Sequence, residues 1–321
     1  MYLKKLLIII LITYTTALLL GHLFDMRYKK RYKVLFFDKM ETILNNKKNY
    51  TVLFLGNSKM HFGINPYYVD SITGLQSYNI GEGGSDAEEI LLYTKIYLQN
   101  HPAPKYAFLS LDGSTAVKFN RLKNRYWMLY YLRDSTVRTF MRNAGFKTNL
   151  IRIFPFLKYA YFDEYSRSAI FLKDPGLLQF DHNLYNGFIN TIKNETTDTR
   201  EWNKSKVFDP QTLNEKTDAI NDTAINQLKE IISLFSTKRT KLFIIYPPAI
   251  KHNLPIKTEP KNPADSVYRT VGLQWHIPII DINDKFNFPE KYFADGSHLN
   301  EPGTRIYSRL IGQFIDSVNK Q

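Results

Sequence analysis

Residues 51–58 read Thr51-Val52-Leu53-Phe54-Leu55-Gly56-Asn57-Ser58, a short apolar run closed by a Gly-Asn-Ser turn. A run without polar alternation, built of branched and aromatic side chains, is expected of a strand covered on both faces, the usual strand of a parallel sheet. Ser58 then stands where the strand gives way to a loop. Ligands of open α/β sheets bind beyond the carboxyl ends of the strands, so this position suits a nucleophile.

Outward from that run, strand and helix patterns alternate. Asn65-Pro66 predicts a helix start, with asparagine as the cap and proline at the first helical position. Gln76–Ile80 and Tyr106–Leu111 are predicted strands. Between them Ser85-Asp86-Ala87-Glu88 has the form of a capping box and opens the periodic run Ile90, Leu91, Tyr93, Thr94, Tyr97, Leu98. Asn221–Phe235 has helical spacing, Lys241–Tyr246 and Ile277–Ile282 are strands, and Thr304–Val318 closes the chain as an amphipathic helix. Such alternation implies an α/β fold, a parallel sheet wrapped by helices.

Residues from about 115 to 215 break the alternation. They are rich in Tyr, Trp, Phe and Arg, carry short helical patterns, and are expected to form a helical, aromatic insertion that serves as a lid or a substrate platform, or that packs as a plain helical cap. Basic residues gather in two places: ten Lys or Arg against three acids in residues 1–51, and twelve against four in residues 118–174, while the rest of the chain, whose net charge is +13, is close to neutral. No helix-turn-helix, finger or RNP-like pattern accompanies them, so nucleic acid is not the expected partner. A membrane surface or an anionic polymer fits the positions better.

Leu6–Phe24 is interrupted only by Thr, Tyr, Gly and His; as a helix its about 19 residues reach roughly 28 Å, enough to cross a bilayer core. Residues 1–24 are therefore expected to be a transmembrane anchor or a signal segment, and 25–49 a basic juxtamembrane linker. Gly21-His22-Leu23 is a poor match to a small-x-small cleavage site, which favours an uncleaved anchor. The 321 residues contain no cysteine, which excludes disulfides, thiolate metal sites, a cysteine nucleophile and a lipoprotein anchor.

Near the C-terminus, Asp295-Gly296-Ser297-His298-Leu299-Asn300 supplies a histidine and an aspartate three residues apart. A serine hydroxyl becomes an effective nucleophile when a base takes its proton, and the base needs a third group to fix its tautomer. Ser58, His298 and Asp295 fill those roles if the fold joins the two segments. Other histidines are weaker candidates: His61 for the pocket wall or for loop packing, His252 for substrate contact or plain exposure. No His/Asp/Glu cluster has metal-ligand spacing and no glycine-rich loop has the order needed for a phosphate or dinucleotide, so neither metal nor cofactor is expected.

The two segments together resemble the SGNH (GDSL-like) hydrolase superfamily, which carries Gly-Asp-Ser after its first strand and Asp-x-x-His before its last helix. Here the first block is Leu55-Gly56-Asn57-Ser58-Lys59-Met60, with Asn57 at the usual aspartate, and the last is Asp295-Gly296-Ser297-His298-Leu299-Asn300 followed by Pro302-Gly303. The resemblance covers residues 50–113 and 240–315. It implies a three-layer, flavodoxin-like parallel sheet over residues 50–321, interrupted by the insertion. It further implies an oxyanion hole built from the backbone N–H of Ser58 and of a glycine in Tyr78-Asn79-Ile80-Gly81-Glu82-Gly83-Gly84, with Gly81 the first choice and Gly83 the alternate.

The family's Gly-x-Asn-Asp appears here as Ser110-Leu111-Asp112-Gly113. An ionised Asp112 facing an oxyanion would oppose it, and losing one donor typically costs a rate factor of about a hundred to a thousand, roughly 3–4 kcal/mol. Asn57 or Asn79 then substitutes, or Asp112 turns aside to meet a substrate hydroxyl; Asn57 and His61 are further candidates for substrate contact.

The implied function is a serine esterase or acylhydrolase removing O-acyl groups, with an acylated envelope glycan or similar ester as substrate. The alternatives are an O-acyltransferase of the same fold, of the D-alanylation or acetylation type, and a non-catalytic polymer-binding envelope protein. Charge alone sets Lys4, Lys5 and the amino terminus against Arg27, Lys29, Lys30, Arg31 and Lys33, and would leave the following domain in the cytosol. The resemblance instead implies a single-pass N-terminal anchor with the domain on the extracytoplasmic side.

Overall fold

The sheet has five parallel strands: β1 (Val52–Leu55), β2 (Ser77–Asn79), β3 (Tyr106–Ser110), β4 (Lys241–Tyr246) and β5 (Ile279–Asp281). Their order across the sheet is β2-β1-β3-β4-β5, the flavodoxin-like order. Register is direct: Phe54 lies beside Asn79 on one side and Phe108 on the other, and Phe108 lies beside Phe243. All four residues of β1 and all five of β3 are buried, as unbroken apolar runs require. The chain adds β2 to one side of β1 and then returns to add β3 on the other. The carboxyl ends of β1 and β3 thus frame the switch point where such sheets bind ligands.

This computed structural model describes residues 2–32, 37–45, 48–110, 121–162, 186–188, 222–248, 272–282, 286–295 and 298–320. The helices in chain order are α1 (Tyr2–Arg31), α2 (Asp38–Asn45), α3 (Ser58–Gly63), α4 (Pro66–Thr73), α5 (Ala87–Asn100), α6 (Ser135–Asn143), α7 (Thr148–Ile153), α8 (Asp222–Thr237) and α9 (Glu301–Asn319). Two compact units result, Met1–Glu41 with Leu122–Gln179, and Thr42–Arg121 with Phe180–Gln321.

The second unit holds the sheet. Val52, Phe54, Tyr106, Phe108, Phe243, Ile245 and Ile280 form one face and pack with Met60 of α3, Val69 of α4, and Tyr307, Ile311 and Ile315 of α9. The alternate residues Leu53, Leu55, Ala107, Leu109, Leu242 and Ile244 are equally buried and point the other way. That side belongs to α5 and α8, which pack on each other while α8 packs on β4. Helices on both faces make the three layers.

Helix starts follow the sequence closely. Asn65 caps α4 by accepting the Tyr67 N–H, with Pro66 at the first position. Helix α5 begins one residue later than a Ser85 cap would place it: Asp86 is the cap and accepts from the Glu89 N–H. A carboxylate outcompetes the neighbouring hydroxyl for an N–H at a helix start.

In the first unit, α1 is long and apolar enough to cross a membrane, and only 6% of its apolar window is buried. The helix runs to Arg31, past the apolar stretch. Residues 121–162 contain 3₁₀ turns, α6 and α7, with no strand among those described. Tyr14 packs on Phe154 and Phe156, and Phe24 on Tyr159. The Lys158 ammonium bonds Asp25 Oδ2 at 2.6 Å, the Tyr159 hydroxyl bonds Asp25 Oδ1, and that hydroxyl also reaches the Gly21 carbonyl at 2.8 Å. Burial lowers the pKa of Lys158, and the Asp25 carboxylate opposes that fall.

Candidate active site

Gly56 closes β1 against β3. A Cβ there would lie 2.8 Å from Ser110 Cβ and 3.0 Å from Met60 Cβ, at a φ of +156°, so glycine lets the two strand ends converge. The chain then turns directly into α3, not into a loop as the sequence suggested. Asn57 is the reason: its Oδ1 accepts the Lys59 N–H and its carbonyl accepts from Met60 and His61, which makes Asn57 the cap and Ser58 the first helical residue. Ser58 is half-buried, and its own N–H has no acceptor among the described residues.

On the other segment Asp295 grips its histidine twice. Oδ1 accepts the His298 backbone N–H at 2.8 Å and Oδ2 contacts ring Nδ1 at 2.8 Å. The main chain closes the turn between them, with the Ala294 N–H on the His298 carbonyl and a Phe293–Leu299 bridge. Asn300 completes it: Nδ2 donates to the Lys291 carbonyl, and Oδ1 caps α9 through the Gly303 N–H. Phe62 meets the His298 ring edge-on at 5.5 Å between centroids.

The fold brings these segments together. His298 Nε2 lies 2.8 Å from Ser58 Oγ. With its proton on Nδ1 the ring donates to Asp295, which leaves Nε2 to accept the serine hydroxyl proton. Helix α9 holds the halves in register: Thr304 Oγ1 donates to the Phe62 carbonyl at 2.9 Å, and the Asn65 N–H donates to Ser308 Oγ at 2.9 Å. The His298 and Asp295 side chains remain 22% and 28% exposed.

The other candidates divide. Gly81 does not present its N–H to a ligand, because that N–H donates to Asn79 Oδ1 at 2.9 Å. Asn79 is likewise engaged: Nδ2 donates to the carbonyls of Met60 at 2.9 Å and Ile64 at 2.8 Å, tying the end of β2 to the middle of α3 and to its C-cap. Gly83 lies where an added Cβ would meet nothing within 4 Å. His61 is buried, stacks on Phe62 and has Nδ1 3.9 Å from Glu82 Oε1, which is a packing role, not a pocket wall. Asp112 and His252 lie outside the described residues. Among those described, no group of three or more His, Cys, Asp or Glu could hold a metal ion.

The positioning contacts of Asn300, Thr304 and Ser308 are not expected from the sequence patterns that contain them. Only the cap role of Asn300 has a local signal, since it precedes Glu301-Pro302 as a helix cap does. Thr304 and Ser308 bond main-chain groups far away in sequence, which no local pattern announces.

No protein-family model matches the chain, and no curated protein matches it. Solved structures do show likenesses. One is a provisionally described acylhydrolase of Bacteroides fragilis, 13% identical, covering 90% of this chain and 96% of its own at a TM-score of 0.42. Another is a GDSL-like lipase of Bacteroides thetaiotaomicron, 14% identical, covering 91% and 98% at 0.39. An acetyl xylan esterase is 11% identical over 83% and 98%, also at 0.39. At such scores the chemistry of this chain has to be argued from its own side chains.

Proposed function

We propose that the chain is a serine-dependent ester hydrolase of the SGNH type, tethered to a membrane by α1. The supporting observation is the run of hydrogen bonds from Ser58 Oγ to His298 Nε2 and from His298 Nδ1 to Asp295 Oδ2, each 2.8 Å, at the carboxyl end of β1. Ser58 Oγ attacks the ester carbonyl carbon as His298 Nε2 takes its proton. Asp295 keeps the ring in the accepting tautomer and steadies the imidazolium. The Ser58 N–H is a donor for the oxyanion. Collapse expels the alcohol with the proton from His298, and water then hydrolyses the acyl-serine by the same relay in reverse.

The substrate class we infer is an O-acylated polymer of the cell envelope, served from an anchored position on the extracytoplasmic side. The exposed apolar face of α1 supports the anchored position, while the extracytoplasmic side follows the SGNH resemblance and runs against the charge balance around the segment. Labelling by a fluorophosphonate probe tests the chemistry: the unmodified chain should label, and Ser58→Ala should not. Equal labelling of both, or of neither, refutes the mechanism.

A further inference from the structure

The first unit carries apolar surface that the proposed hydrolysis does not use. On α7, Leu150 is 42% exposed and Ile153 60% exposed. Both belong to a segment fastened to α1 well inside its apolar stretch. The Tyr14 hydroxyl donates to the Ile153 carbonyl at 2.8 Å, Phe154 and Phe156 pack edge-on against the Tyr14 ring, and Phe156 Cβ lies 3.8 Å from where a Cβ on Gly21 would be. Further along, Tyr159 and Lys158 hold Gly21 and Asp25.

The levels along the helix set the depth. From Phe24, the last residue of the apolar run, back to Tyr14 is ten residues, about 15 Å at 1.5 Å per residue and half of a hydrocarbon core about 30 Å thick. If α1 spans a bilayer, whatever is bound to Tyr14 is carried below the headgroups. We infer that α7 and the turn after it, residues 148–156, enter the membrane beside α1 as a second lipid-contacting element, with Leu150 and Ile153 facing acyl chains. This inference rests on the membrane-anchor part of the reading above and is independent of the ester chemistry.

Three features of the segment and its neighbours bear on a lipid setting. Backbone carbonyls at a helix end have no partner within the helix, and in hydrocarbon no water replaces one; here the Tyr14 hydroxyl serves the Ile153 carbonyl and the Phe154 N–H returns to Leu150. The Thr15 hydroxyl is satisfied in the same way, by the carbonyls of Leu11 and Ile12. Arg142 and Lys147 are exposed on α6 and before α7, ahead of the segment, and suit anionic headgroups. Arg152, exposed beside Ile153, is a cost at that depth, which its long stem lessens by carrying the charge toward the headgroups.

The absence of cysteine makes the test direct. Single cysteines are placed in the full chain at Leu150 and Ile153, at Leu11 on exposed α1, and at exposed Tyr67 of the second unit. Each is labelled with a fluorophore, and the protein is reconstituted in phosphatidylcholine–phosphatidylglycerol vesicles with acyl chains brominated or not. The expected result is loss of emission to bromolipid for Ile153→Cys and Leu150→Cys, comparable with Leu11→Cys, and no loss for Tyr67→Cys, which aqueous iodide quenches instead. Quenching of the 150 and 153 labels by iodide alone, with Leu11→Cys still quenched by lipid, overturns the inference and leaves the anchor standing. Failure of Leu11→Cys as well removes both. Shielding of 150 and 153 from both quenchers shows another protein surface on them, a second copy included, and also overturns it.

Discussion

Asp295 makes two different demands on one carboxylate, and they can be separated. Oδ1 holds the main-chain N–H of His298 and shapes the turn, while Oδ2 faces the ring. Asp295→Asn keeps the first contact and turns an N–H₂ donor toward Nδ1, which favours the tautomer with its proton on Nε2. That nitrogen then cannot accept from Ser58. Turnover of an acetyl ester such as p-nitrophenyl acetate should fall by about 10⁴-fold, while the thermal midpoint stays close to that of the unmodified chain. A loss of both activity and stability would show Asp295 to be chiefly a turn residue. These three side chains were legible in the sequence because a strand end and a close Asp–His spacing are local patterns. The engagement of the Gly81 N–H was not. Gly81 is disqualified by Asn79 two residues earlier, whose amide oxygen turns back onto the Gly81 N–H, and such a local turn competes with any other use of that N–H.

At the level of the element, α3 is only six residues long and owes its position to what grips it. Asn79 bonds Met60, Ile64 and Gly81 from a site with no solvent exposure. Asn79→Ala strands these buried groups, each costing about 1–3 kcal/mol when left unmade, so the unfolding free energy should drop by several kcal/mol in denaturant titration. Ester turnover should fall with it, because Ser58 opens the helix that has lost its tether. Stability within error of the unmodified chain would place the constraint elsewhere, on Thr304 and Ser308 of α9. The strands, α4 and α9 could be read from apolar runs, caps and periodicity. The start of α3 could not, since its cap Asn57 looked like one residue of a loop. The grip of Asn79 was hidden for a different reason: its acceptors are main-chain carbonyls 15 and 19 residues away, and any residue type supplies a carbonyl.

For the whole molecule, the first unit bears on whether the N-terminal segment is a signal or an anchor. A cleaved signal is discarded, so the mature fold has no use for contacts with it. Here Tyr14, Gly21, Phe24 and Asp25 are all engaged by residues 153–159. Cleavage at the weak Gly21-His22-Leu23 site would strip Tyr14 from the Ile153 carbonyl and leave the Phe154 and Phe156 rings uncovered. A slightly later cut would also take Asp25 from the buried Lys158, and removing one member of a buried ion pair is strongly destabilising, by about 3–5 kcal/mol. The protein recovered from cells should therefore retain residues 2–31 by intact mass and stay with the membrane fraction through an alkaline carbonate wash. A mature chain beginning between residues 22 and 31 and released by carbonate would show instead that the aromatic face of residues 154–162 finds a different cover after α1 has gone.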